Sequence, residues 1–514
     1  MTKQMSANEA IALIQDGDTL AVEGFVCNAQ PQALCIALEN RFLETGAPIN
    51  LTLTYAAGQG DGKDACLNHL GHEKLLKRVV GGHWNLSPKL GKLVSDEAIE
   101  AYNLPQGTLS QLFRDIAAGK IGTLTHVGLK TFVDPRVDGG KINQSAKEDL
   151  VELVTIGGRE QLLYKAFPID VCLLRATTAD EKGNIAMEKE GVFLCARAIA
   201  QATKNSGGKV IVQVERVVQN GTLNPKDVVI PHIYVDGVVV VSPEENMPEA
   251  NSSMVDVYSG KLRMPTGALE ALPLDERKII GRRAAMELKP DTVVNLGIGV
   301  PEAVSIVANE EKIGDYMTLT VEAGPVGGIP AGGLTFGLSI NADCILDQPA
   351  QFDFYDGGGI DLAYLGLAEC DEVGNINVSK MGTRIAGAGG FINITQNAKK
   401  LFFCGTFTAK GLKVAAADGK LTIVNEGQVK KFIKKVNHIT FSGEYASEQA
   451  QPVLYITERA VFELRKDGLH LIEVAPGINI DRDILAHMEF IPKMDTPPKL
   501  MDARLFRDEP MGLA

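Results

Sequence analysis

One residue stands apart among those whose type and spacing can do chemistry. At 317–321 an apolar, partly β-branched run ends at Glu322 and passes through Ala323 and Gly324 into a glycine-rich stretch that reaches residue 333. Strand ends are where α/β proteins hold ligands. Glycines just after a charged residue let backbone approach a bound molecule and leave N–H groups for anionic oxygen. A carboxylate there can act as nucleophile, general base or metal ligand. The competing reading is a solvated Glu at a tight turn.

Other constellations fail on spacing. His69 and His72 stand three apart, but there is no HExxH and no third ligand nearby, so no metal is expected. There is no GxSxG elbow for a serine hydrolase and no GxxxxGK[ST] phosphate loop. A dinucleotide fold wants GxGxxG opening a helix, whereas Gly297-Ile298-Gly299 continues into Val300-Pro301, and the glycines at 387–390 lack the spacing. What remains is a site built from a carboxylate and glycine-rich backbone.

The elements that must position it read as α/β. At 8–15 the spacing predicts a helix, at 16–18 a turn and at 19–22 a strand that breaks at Gly24-Phe25. The same grammar returns at 282–288, 289–291 and 292–296, before Gly297. Asp180-Glu181-Lys182-Gly183-Asn184-Ile185 is echoed by Asp371-Glu372-Val373-Gly374-Asn375-Ile376, each after an apolar run, and both read as strand–turn–strand units. Continuous apolar strands such as 210–214, 238–241 and 401–404 are the pattern of strands covered by helices on both faces. The expectation is two similar tandem halves, each an open, mostly parallel sheet flanked by helices. They would span 1–241 and 275–514, joined by a proline-rich surface linker at 242–274 that includes Pro248 and Asn251.

A chain of 514 residues is too long for one core. Its net charge of −13 argues against a nucleic-acid or membrane-surface binder. Eight cysteines without a CxxC pair, no run apolar enough to span a bilayer and no signal-peptide core at the N-terminus point to the cytoplasm.

The stretch 16–31, with Gly24, Phe25, Asn28 and Pro31 after its apolar strand, resembles the first signature of family I CoA-transferases, departing by Glu23 in place of the first glycine and Ala29 in place of a later one. The Glu322 run resembles the second, with Ala323 in place of the usual polar neighbour. Further segments at 103–108, 280–283, 353–359 and 381–391 extend the resemblance over almost the whole chain, toward single-chain propionate or acetate CoA-transferases. The resemblance implies that Glu322 forms an acyl-glutamyl anhydride and then a glutamyl-CoA thioester, with ping-pong transfer of CoA from a short-chain acyl-CoA to acetate, propionate or butyrate. It implies Gln106 near the reacting carbonyl, with the N–H groups of Gly389 and Gly390 as further oxyanion donors. Gly24, Phe25, Asn28, Ala323 and Gly324 would line the substrate, Asp356, Gly357 and Gly358 would shape a loop near the thiol, and Lys380 and Arg384 would meet pantetheine or phosphate. The site would lie between the halves, Glu322 from the second and Gln106 from the first. CoA is a substrate and no cofactor is needed; a homo-oligomer is expected.

The rivals are an acyl-CoA hydrolase on the same fold, a nucleotide-dependent dehydrogenase that lacks its fingerprint, and a non-enzymatic ligand sensor, for which no basic helix-turn-helix is present.

Overall fold

The computed structural model describes residues 3–245, 252–265 and 271–514; Pro248 and Asn251 of the expected linker lie outside them. The chain forms two compact units. The first comprises Met1–Met264, Val321–Phe354 and Lys380–Asn393, and the second Pro265–Thr320, Tyr355–Ser379 and Ile394–Ala514.

The first unit is built on seven strands: β1 (Thr19–Val22), β2 (Leu51–Tyr55), β3 (Leu76–Gly81), β4 (Glu100–Asn103), β5 (Val171–Arg175), β6 (Lys209–Val214) and β7 (Gly237–Val240). They pair in the order β7-β6-β5-β1-β2-β3-β4, every pair parallel. All five residues of β5 are buried, as a strand covered on both faces must be. Helix α1 (Gln32–Thr45) shares the core of the sheet, α3 (Ala196–Asn205) packs on β5 and β6, and α2 (Gln106–Ala117) packs on α3. α1 contributes Leu34, Cys35 and Leu38 to a core shared with Leu20, Leu53, Val79 and Trp84. The chain winds outward from β1 through β4, then returns to the other side of β1 for β5 to β7. The strand order therefore reverses at β1, and such reversals open a crevice at the carboxyl ends of the strands.

The second unit repeats the plan. β8 (Thr292–Leu296), β9 (Met317–Thr320), β10 (Leu362–Gly366), β11 (Lys400–Cys404) and β12 (Val453–Ile456) are parallel and ordered β9-β8-β10-β11-β12. An antiparallel meander, Ala460–Arg465 and Gly468–Val474, extends the far side. Here the order reverses at β8, the counterpart of β1. The echoed hexapeptides form the same turn. Asp180 Oδ1 accepts from the amides of Lys182 and Asn184, as Asp371 Oδ1 does from Val373 and Asn375, and Gly183 and Gly374 take φ of 96° and 84°. Each turn joins a short antiparallel pair. The tandem α/β plan is as expected. The compact units depart from the chain-order halves, because two segments of the C-terminal half, 321–354 and 380–393, pack into the first unit.

Candidate active site

At the carboxyl edge of the first sheet, glycines let successive strand-end loops close on one another. After β1, the Val26 amide donates to the Gly58 carbonyl and the Gly60 amide to Val26, joining the loops after β1 and β2. After β3, a Cβ on Gly82 would lie 2.1 Å from the Ala56 carbonyl oxygen and 3.2 Å from Gln106 Cα, so only glycine fits between the β2 and β4 loops. Asn103, the last residue of β4, is buried and donates to the carbonyls of Gly81 and Gly82, while its Oδ1 accepts from the Ala388 amide at 2.9 Å.

Gln106 is the first residue of α2, after Pro105, and is 3% exposed. Helix starts leave amides without intrahelical acceptors. Here the Gln106 amide donates to the Gly389 carbonyl at 2.9 Å and the Gly107 amide to Asn393 Oδ1 at 3.1 Å, so the segment 380–393 caps the helix. The side-chain Nε2 of Gln106 is buried without an acceptor. A buried donor left unpaired is costly unless a ligand completes it.

Glu322 follows β9 and begins the 321–354 excursion into the first unit. Val321 and Ala323 on either side pack with Phe25, Val26, Ala57, Leu194 and Leu338, which sets Glu322 beside the loop after β1. Gly324 takes φ +131°, and a Cβ there would lie 2.1 Å from the Leu346 carbonyl oxygen. Glu322 keeps part of its surface accessible. Desolvation nonetheless raises its carboxyl pKa above the ordinary range, with its own backbone amide holding it back. The carboxylate is thus half-buried and desolvated rather than standing in open solvent. No cation pairs with Glu322 among the described residues. An unpaired, poorly hydrated carboxylate is a strong nucleophile.

The other candidates divide. Gly24 takes φ +154° and has Gln30 and Gln59 where a Cβ would go. Phe25 lies against Phe336, ring centroids 5.7 Å apart, and Asn28 Nδ2 donates to the Phe336 carbonyl, leaving Oδ1 unpaired. Gly389 does not meet its expectation as an oxyanion donor, because its amide donates to the Gly82 carbonyl at 2.7 Å. The Gly390 amide has no acceptor among the described residues. Lys380 Nζ donates to the Ile142 carbonyl and Arg384 reaches Asn85 Oδ1 at 2.7 Å, so both hold loops together in this state. Asp356, Gly357 and Gly358 fall in the second unit, where Gly358 takes φ +84°. Glu322 and Gln106, expected from different halves, belong to the same compact unit. His69 and His72 both bond Glu39, at 2.5 and 2.7 Å.

Residues 4–241 match the coenzyme A transferase family. The caffeate CoA-transferase of Acetobacterium woodii is 46% identical over 519 residues, covering 100% of this chain and 99% of that protein. The chain is a family I CoA-transferase. The acetate CoA-transferase YdiF of Escherichia coli O157:H7 is 45% identical over 99% of this chain and 96% of its own length. The crystal structure of the YdiF apoenzyme superposes with a TM-score of 0.94 at 44% identity, covering 99% and 97% of the two chains. A thioester complex of YdiF with CoA gives a TM-score of 0.92 over the same spans.

Sequence reasoning gave two residues of this CoA-transferase no role. Glu23 follows β1 and is 4% exposed; His83 follows β3, after Gly81 and Gly82. The rule that singled out Glu322, a carboxylate where a strand gives way to glycine, finds Glu23; His83 has the glycines before it.

Proposed function

We propose that this CoA-transferase moves CoA from a short-chain acyl-CoA to a short-chain carboxylate of the acetate, propionate and butyrate class, through a glutamyl-CoA thioester on Glu322. The observation that carries the reading is the unpaired, desolvated carboxylate of Glu322, whose neighbours pack against the loop after β1, in the same compact unit as the unpartnered Nε2 of Gln106. A Glu322 oxygen attacks the thioester carbonyl carbon, the C–S bond breaks, and an anhydride and CoA thiolate result. The thiolate attacks the Glu322 carbonyl, the anhydride C–O bond breaks, and the first carboxylate leaves. An acceptor carboxylate runs these steps backward. Each tetrahedral intermediate carries an oxyanion, for which Gln106 Nε2 and the Gly390 amide are the donors; one such donor is worth about 2.7–4 kcal/mol. The desolvation that raises the carboxyl pKa also keeps water from the anhydride.

The test is incubation with acetyl-CoA alone, followed by intact mass and peptide mapping. A CoA adduct on Glu322 that propionate discharges, and that Glu322→Ala lacks, supports the reading; an unmodified protein with acetyl-CoA untouched refutes it. Steady loss of acetyl-CoA without acceptor points to hydrolysis instead. Because one relative is named for caffeate, the same adduct is also challenged with caffeate, and discharge by caffeate but not by propionate or acetate overturns the short-chain assignment. A cytoplasmic homo-oligomer remains part of the proposal, checked by light scattering of the purified chain.

A further inference from the structure

We propose that His83 is a catalytic residue of the transfer reaction, donating a hydrogen bond from its imidazole Nε2 to the acyl carbonyl oxygen as Glu322 attacks. This rests on the thioester mechanism above.

His83 stands where the loops after β2, β3 and β4 meet. Its Nδ1 lies 2.4 Å from the point where a Cβ on Gly58 would be, so the ring occupies the space that glycine leaves open. Its Cδ2, the ring carbon bonded to Nε2, lies 3.8 Å from the corresponding point on Gly389, and Gln106 Oε1 lies 3.7 Å from that same point. The imidazole edge and the Gln106 amide thus flank one glycine. Neither ring nitrogen has a hydrogen-bond partner among the described residues, and the buried Gln106 Nε2 has none either. Two side chains with unspent donors therefore lie against one glycine, on the sheet edge whose β1 loop packs against Glu322's neighbours. The loop after β3 is held in place by backbone bonds that do not involve the His83 ring: Trp84 and Asn85 amides donate to the Ala386 carbonyl, and Gly389 to Gly82. The ring is free to serve a ligand.

Its protonation state suits that role. Burial pulls the His83 pKa down to about 4, while the residue keeps part of its surface accessible, as Glu322 does. At neutral pH it is an uncharged imidazole with one N–H and one lone pair. An imidazolium would pair with the Glu322 carboxylate or protonate the departing thiolate, and either would oppose the return attack. A neutral N–H avoids both. When Glu322 attacks, the carbonyl π pair moves onto oxygen, which accepts from His83 and Gln106. When the intermediate collapses, the C–S bond breaks with its electron pair on sulfur, and His83 keeps its proton throughout.

The experiment is rapid-quench measurement of Glu322–CoA thioester formation from acetyl-CoA, using the full chain as wild type, His83→Leu and His83→Gln, with ¹⁵N-histidine NMR of the wild type. His83→Leu is expected to slow thioester formation about a hundredfold, as loss of one oxyanion donor does. KM for acetyl-CoA is expected to stay within about twofold, since the interaction is made in the transition state. His83→Gln, which keeps a side-chain N–H, is expected to recover about tenfold or more of the loss. The wild-type His83 resonances are expected to show the Nε2–H tautomer and to shift when the enzyme becomes the thioester. Wild-type rates in His83→Leu overturn the proposal while leaving the thioester reading standing. So does a Gln variant no better than Leu when both melt as wild type does. If His83→Leu does not fold, the NMR decides, and resonances unmoved on thioester formation refute the role. If the wild type forms no adduct, the thioester reading fails and this proposal with it.

Discussion

Replacing Glu23 by Gln removes an ionisable group from the first unit's core, and the outcome is calculable. Glu23 follows β1 at the reversal point of the sheet. Its Oε1 accepts from the Cys195 amide at 3.1 Å, and its Oε2 is buried with no partner. Burial pushes its pKa from 4.5 to about 8, with the amides of Cys195 and Gly24 holding it back; its other close ionisable neighbours are the buried thiols of Cys172 and Cys195, with Asp347 acting on Cys195. In the unfolded chain the carboxyl titrates near its ordinary value, so between pH 4.5 and about 8 the unfolded state has lost a proton that the folded state retains. Fewer protons bound when unfolded means that stability falls as pH rises, by about 1.4 kcal/mol per pH unit across that window. By pH 7 the group costs about 3 kcal/mol, and at pH 5 under about 1 kcal/mol. Gln keeps an oxygen for the Cys195 amide and does not titrate, so the advantage of Glu23→Gln over wild type should grow by about 2–3 kcal/mol from pH 5 to pH 7. For a unit of roughly 300 residues that growth is about 3–5 °C in Tm. Differential scanning fluorimetry of both proteins at pH 5, 6, 7 and 8 reads it directly. Any fixed offset from the new amide is the same at every pH and drops out. A Tm difference that stays constant across the series, or shrinks as pH rises, refutes the claim that Glu23 is a buried acid with a raised pKa.

Other outcomes follow from the same geometry. Gln106→Leu should lower kcat by about a hundredfold or more with little change in KM, measured by steady-state transfer between acetyl-CoA and propionate. Because desolvation raises the Glu322 pKa and attack needs the carboxylate, the acid limb of the kcat/KM profile should fall above pH 4.5 and disappear from the residual activity of Glu322→Ala. Gly107→Ala would place a Cβ 2.3 Å from Phe352 Cδ1 and 2.5 Å from Asn393 Nδ2, so it should cost about 1–3 kcal/mol in chemical denaturation and lower activity by displacing Gln106. Gly324→Ala meets the Leu346 carbonyl rather than a movable side chain, and thioester formation on Glu322 should be lost even where the protein still folds.

Much of the fold was legible because periodicity is local. Continuous apolar strands, a helix–turn–strand grammar used twice and the repeated hexapeptide turn each depend on residues within a few positions of one another. The departures are long-range. Nothing near residue 322 announces that 321–354 leaves the second unit at the end of β9, or that 380–393 returns to cap α2, since those preferences reside in partners such as Phe25, Asn103 and Gln106. The role expected of the Gly389 amide failed for the same reason: its acceptor, the Gly82 carbonyl, is more than 300 positions away.

Glu23 and Glu322 show why a carboxylate at a strand end does not by itself identify a nucleophile. Both follow a strand at the sheet edge, both are desolvated, and both have raised pKa values. Glu23 is sealed in, its accepting oxygen spent on the Cys195 amide, so no substrate can reach it and its charge is only a cost. Glu322 keeps accessible surface and no bond to another residue, and glycine after it lets the chain turn close against Leu346 without covering the carboxylate. Desolvation raises the energy of the ionised form in both, but only at Glu322 can attack on a carbonyl release it. Accessibility decides the chemistry, and it is a property of the loops after β1 to β4 rather than of the residue type. The same distinction separates His83, half-buried with both nitrogens unspent, from His69 and His72, each of which gives one nitrogen to Glu39.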